Sequence, residues 1–245
     1  LFEYSPNILY FVGLIGSITA FYGGISSMYQ SDIKKILAYS TISHCGFLMV
    51  LVSFGVYEYV ILYLYIHGFF KAVTFLSVGN IIRFTRNIQD FKRMGQFYKY
   101  LPFECLAIIV SLINLGGLPL SLGFYIKHLL FISIDHNNYY YYIIFINCIL
   151  GAITGLFYSF KLIYYIFFDI KKSKKTLYLQ AQKKNLNSIY YSNSSISGKF
   201  SIYFLTLYSY IISFYLLYNY LSINYIFSDL NTLDIKTLYL NFFSF

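Results

Sequence analysis

The chain has 245 residues, of which 58% are hydrophobic and 11% charged, with 18 basic and 9 acidic side chains and a net charge of +9. So few charges cannot coat a water-soluble domain of this size, which excludes a soluble globule as the setting for most of the chain. Lipid is the solvent that fits, and 30 Tyr and 26 Phe suit its core and its interface.

The start carries Glu3 and no basic run, so no cleavable signal is expected there. The first residue is Leu, which leaves open an unusual start codon or a piece of a longer chain. A spanning helix needs about 20 apolar residues. The first candidate runs from about Ile8 to Tyr29 without a charge, and the second from about Ile36 to Val56. The third runs from about Tyr59 to Ile82 and contains His67 and Lys71. The fourth, Leu101 to Ile132, is too long for one simple crossing and is interrupted by Gly116, Gly117 and Pro119. The fifth runs from about Tyr139 to Phe168 with Lys161 near its end, and the sixth from about Phe200 to Phe227. These spans predict an all-α integral membrane protein with about six transmembrane helices, one of them broken.

The basic residues test the span count. Lys34, Lys35, Arg83 to Lys99 and Lys171 to Lys199 fall on one side of the membrane, and Lys236 alone on the other. The positive-inside rule makes the basic side cytoplasmic or, in a mitochondrion, the matrix. One span more or fewer would scatter the basic loops over both sides. The stretch from 169 to 199 reads as a basic polar loop on that inner side, with lipid or a partner as possible contacts. The tail from 228 to 245 reads as either part of a helix or an interfacial segment. Cys45, Cys105 and Cys148 lie far apart in apolar runs and read as small buried hydrophobes. No nucleotide loop, nucleic-acid motif or metal spacing is present, so no cofactor on this chain and no nucleic-acid partner are expected.

Charges inside the spans carry the functional signal. An ionisable residue at the bilayer centre costs about 2.5–3.5 kcal/mol on insertion scales, so it faces protein or water and is usually put to use. Lys71 lies in the middle of its span, with His67 one turn earlier on the same face. Lys127 lies eight residues past Pro119 and is followed by His128. A lysine held in a dry medium can exchange its proton near physiological pH, and histidine titrates there already. His67, Lys71 and Lys127 therefore read as a proton relay. A snorkelling or ion-paired lysine is the competing reading for the lysines, most of all for Lys161, and helix-packing hydrogen bonds are the alternative for His67 and His44. The Gly116, Gly117, Pro119 interruption frees backbone groups in mid-membrane, which is tolerated only inside protein or beside a wet cavity.

Four segments share a family pattern in order and spacing. SDIKKILAYSTISHCG (Ser31 to Gly46), IHGFFKAVTFLSVGNII (Ile66 to Ile82), IQDFKRMG (Ile88 to Gly95) and GGLPLSLGFYIK (Gly116 to Lys127) resemble the antiporter-type subunits of the respiratory NADH dehydrogenase, subunit 5 in particular. The resemblance covers about Glu3 to Phe168 and implies that residues 1–168 are the second of that family's two inverted five-helix repeats, followed by one more helix over 200–227. It implies that Lys71 is the central channel lysine, His67 its partner and Lys127 the terminal lysine of the exit path, with Lys161, His128 and His44 as further candidates. Tyr63 stands where a second His is usual, His44 replaces a usual Gln, and His128 replaces an acidic residue. It further implies a mitochondrial inner-membrane location and, as partners, the other membrane-arm subunits and a separate chain carrying the first repeat. NADH, FMN, iron–sulfur clusters and ubiquinone are expected on other subunits. Two other readings stay open: a standalone cation/proton antiporter subunit, and a structural membrane-arm subunit that no longer pumps.

Overall fold

The uncharged first run folds as one helix, α1 (Pro6–Tyr29), and its two faces differ sharply. Ile8, Phe11, Ile15, Ile18 and Tyr22 form an exposed apolar stripe at spacings of three and four. The opposite stripe is small and buried, and there α2 (Ile33–Ser53) packs against it almost backbone to backbone. A Cβ placed on Gly46 would stand 2.6 Å from the Gly16 carbonyl oxygen, and the Ser43 hydroxyl donates to the Ala20 carbonyl at 2.7 Å. Small residues and a side-chain hydrogen bond are how helices associate where lipid supplies no hydrophobic drive.

The computed structural model describes residues 6–85, 87–99, 101–119, 121–134, 139–169, 199–211 and 215. The readings of 170–198 as a loop and of 228–245 as a tail lie outside the described residues, as does most of the sixth span. Helix α2 starts at Ile33, three residues before the sequence suggested. The reason is local: Ser31 and Asp32 pair with the segment around Asp90, with Ile33 N–H donating to Gln89 O at 3.0 Å and Phe91 N–H to Ser31 O at 3.2 Å. The chain turns helical as soon as it leaves that bridge.

After a turn at Gly55, helix α3 (Tyr57–Phe84) buries Tyr63, Ile66, Phe70, Lys71, Thr74 and Ser77 on one side. Two short 3-10 turns follow at Phe91–Arg93 and Phe97–Lys99. Then come α4 (Pro102–Gly116) and α5 (Leu122–Ser133), the two pieces of the interrupted span. Pro102 opens α4, where its missing N–H would have had no partner anyway. Helix α6 (Tyr139–Ile163) continues into one wider turn over Tyr164–Phe168. A seventh helix, α7, covers residues 199–211. Among the described residues α1, α2, α3 and α6 with its extension are long and apolar enough to cross a membrane, whereas α4, with 15 residues, and α5, with 12, are not.

The basic connections meet at one end of the bundle. Lys161 on α6 reaches the Met28 and Gln30 carbonyls at the end of α1, and its ammonium lies 4.8 Å over the Phe91 ring. Phe91 in turn packs on Tyr165, and Tyr98 on Phe168. Lys34, Lys35, Arg83, Lys92 and Arg93 are exposed around this end. Cys105 and Cys148 are buried as expected, but Cys45 on α2 is exposed.

Candidate functional site

Both deep lysines point inward. Lys71 is 5% exposed, and its ammonium donates to the Leu37 carbonyl at 3.2 Å and to the Ser40 hydroxyl, both on α2. Lys127 is also 5% exposed and donates to the Leu115 and Gly116 carbonyls at 3.1 and 2.6 Å. Those two oxygens belong to the last turn of α4, where helical carbonyls have no partner inside the helix. The lysine of α5 thus caps the helix from which α5 was severed. Its ammonium also lies 5.8 Å from the centre of the Phe47 ring. Lys35–Asp32 and Arg93–Asp90 form ion pairs at the basic end. Carbonyls and a hydroxyl, rather than carboxylates, hold the two buried ammonium groups.

The break is built residue by residue. Gly117 closes α4 with φ of 80°, a left-handed conformation that suits glycine, and its N–H returns to Ile113 O at 3.0 Å. Pro119 is exposed in the connector. Ser121 then caps α5, its hydroxyl accepting from Phe124 N–H at 3.3 Å. Asn114 locks the two pieces: its Oδ1 accepts from Leu122 N–H at 3.2 Å, and its Nδ2 donates to Val110 O at 2.9 Å and to the Tyr210 hydroxyl on α7 at 2.8 Å.

Between the lysines sits an imidazole contributed by α2. His44 Nδ1 lies 2.7 Å from the Tyr63 hydroxyl, and its Nε2 lies 3.3 Å from the Tyr158 hydroxyl on α6. The His67 ring is 4.6 Å from the His44 ring, centre to centre. His44, Tyr63, His67, Asn114 and Lys127 line a cavity of about 10 Å³, room for about one water. On the side of Lys71, the side chains of Ser40 and Ser159 stand near the Tyr158 hydroxyl.

The structure therefore brings together Lys71, His67, Lys127 and His44, and places the Gly116, Gly117, Pro119 interruption beside them. It does not bring in Lys161, which is engaged at the end of α1, nor His128, whose ring stacks on Phe124 on another face of α5. Sequence reasoning missed Ser40, Tyr158 and Asn114, whose residue types are too common here to stand out. It also missed Glu104, which is 1% exposed in the first turn of α4 with Oε1 lacking a hydrogen-bond partner. Its signal was a carboxylate inside an apolar run. Among the described residues no group of three or more His, Cys, Asp or Glu side chains stands close enough to hold a metal ion.

Long helices with outward-facing apolar stripes, a helix interrupted between α4 and α5 and buried cations beside the break define an integral membrane protein of the antiporter-like class. Residues 1–154 match the family described as NADH:quinone oxidoreductase/Mrp antiporter, TM, and the chain belongs to that family. It is 50% identical over 84% of its length to NADH-ubiquinone oxidoreductase chain 5 of Paramecium tetraurelia, covering 37% of that protein. It is 38% identical over 68% of its length to NADH-quinone oxidoreductase subunit L of Buchnera aphidicola, covering 27% of it. Among solved structures, a chain of the Mrp complex from Dietzia sp. DQ12-45-1b shares the fold with a TM-score of 0.60 at 22% identity, over 70% of this chain and 32% of that one. The chain thus spans well under half the length of these relatives.

Proposed function

We propose that this chain is a proton-translocating membrane-arm subunit of respiratory complex I, lying in the mitochondrial inner membrane with its basic end in the matrix. Protons move between Lys71 and Lys127 through the polar interior that holds His67 and His44, driven by NADH:ubiquinone oxidoreduction on other subunits that hold NADH, FMN, iron–sulfur clusters and ubiquinone. In this reading α4 and α5 together make one crossing, α7 begins another, and residues 1–168 form one five-helix repeat. The companion repeat packs against it, whether borne by another chain or by the same polypeptide.

The observation that carries the reading is the pair of buried lysines joined by a polar interior, one of them capping a severed helix. An ammonium in hydrocarbon is expensive, and its retention without a carboxylate partner favours a group that must release its proton to do its work. Similarity to chain 5 proteins supplies the setting. The test is purification of the complex through this chain in mild detergent. NADH-driven ubiquinone reduction and proton uptake into vesicles should accompany it. Sodium-dependent proton exchange without NADH oxidation would instead assign the chain to a standalone antiporter.

A further inference from the structure

We propose that the Tyr158 hydroxyl, together with Ser40, is the proton bridge between Lys71 and His44, so that the two lysines are joined through α2 and α6 rather than along α3. The inference rests on the reading of this chain as a proton conductor. His67 is one turn from Lys71 on α3, yet among the described residues no protein group hydrogen-bonds its Nδ1. The bonds that Lys71 does make run across to α2, to Ser40 and Leu37. The Tyr158 hydroxyl stands near Ser40, and from it His44 Nε2 is 3.3 Å away. Among the described residues Tyr158 is the bulkiest fully buried side chain, 1% exposed, so its hydroxyl is shut off from bulk water.

The donor and acceptor roles close consistently. His44 accepts on Nε2 only as the tautomer with its proton on Nδ1, and that N–H then donates to the Tyr63 oxygen at 2.7 Å. The Ser40 proton rests on the Leu37 carbonyl at 2.8 Å, and one rotation about Cβ–Oγ turns it toward Tyr158. A proton then leaves Lys71 Nζ for the Ser40 oxygen, the Ser40 proton passes to the Tyr158 oxygen, and the Tyr158 proton passes to His44 Nε2. At each hydroxyl one O–H bond forms as another breaks. Lys71 ends neutral, His44 ends as imidazolium, and neither hydroxyl keeps a charge. The imidazolium then stands in the cavity it shares with Lys127.

The experiment compares Tyr158→Phe, Ser159→Ala and Lys127→Arg in the assembled complex in sealed vesicles, reading protons pumped per NADH alongside assembly and ubiquinone reduction. Tyr158→Phe removes one oxygen and keeps the ring, and is expected to lower the proton yield as far as Lys127→Arg does while assembly holds. Ser159→Ala alters a second neighbour of the same hydroxyl that lies off the route, and is expected to leave the yield unchanged. A parental yield in Tyr158→Phe beside a reduced yield in Lys127→Arg overturns the bridge. Parental yields in both overturn the conduction reading itself. If Tyr158→Phe fails to assemble, Ser40→Ala cuts the bridge at its other end, and an undiminished yield there overturns the proposal equally.

Discussion

Gly123→Ala adds one methyl group where α5 leans on the end of α4. An ideal Cβ there would overlap the Asn114 carbonyl oxygen and stand 2.8 Å from its carbonyl carbon, where carbons prefer about 3.5–4.0 Å. The obstacle is backbone, with no rotamer to turn aside, so α5 must retreat by about 1 Å. The Leu122 N–H to Asn114 Oδ1 bond, already 3.2 Å, would then leave hydrogen-bonding range. That loss is worth about 1 kcal/mol, and overpacking strain adds about 1–3 kcal/mol. A destabilisation of about 2–4 kcal/mol follows, read as a lower thermal midpoint of the detergent-extracted protein. The same retreat pulls Lys127 from the Leu115 and Gly116 carbonyls, so proton conduction should fall with it. An alanine variant with parental midpoint and parental conduction would refute the tight docking of α5 on Asn114.

Lys161→Ala should lower stability by about 1 kcal/mol, the usual worth of a cation at a helix C-terminus, while proton yield in the assembled protein stays parental. A lost yield at parental stability would return Lys161 to the relay. Gly46→Leu drives a branched side chain into the Gly16 carbonyl and the α1 backbone, so α1 should separate from α2. Protease accessibility of the α1–α2 connection should rise, and unchanged protection would contradict the close packing. Asn114→Leu removes the lock between α4, α5 and α7. It should cost about 1–3 kcal/mol through the unpaired Leu122 N–H and Tyr210 hydroxyl, measured by thermal unfolding of the extracted protein, and an unchanged midpoint would discount the lock.

The crossings were legible because length and apolarity are what a bilayer selects, and α1, α3 and α6 fall where the sequence placed them. The break was legible from Gly116, Gly117 and Pro119, although the structure divides their work: Gly117 alone makes the left-handed cap. Lys71 and Lys127 announced themselves as charges in apolar runs. Their connection did not. With 30 tyrosines in the chain, nothing local distinguishes Tyr158 and Tyr63, which meet His44, from Tyr142 and Tyr164, which face outward. The His44–Tyr158 contact joins residues 114 positions apart, a choice made by the packing of α2 against α6. Lys161 read as a snorkelling or relay lysine because its acceptors, the carbonyls ending α1, are fixed only when the helices assemble.

The most direct measurement is the proton yield per NADH of the complex carrying Lys71→Arg, in sealed vesicles with assembly verified. Arginine keeps the positive charge and the hydrogen-bond donors but does not give up its proton. Loss of pumping with the complex intact is the outcome expected of a lysine that must cycle between charged and neutral forms. An arginine variant that pumps like its parent would show that the buried amine serves only to hold α3 against α2.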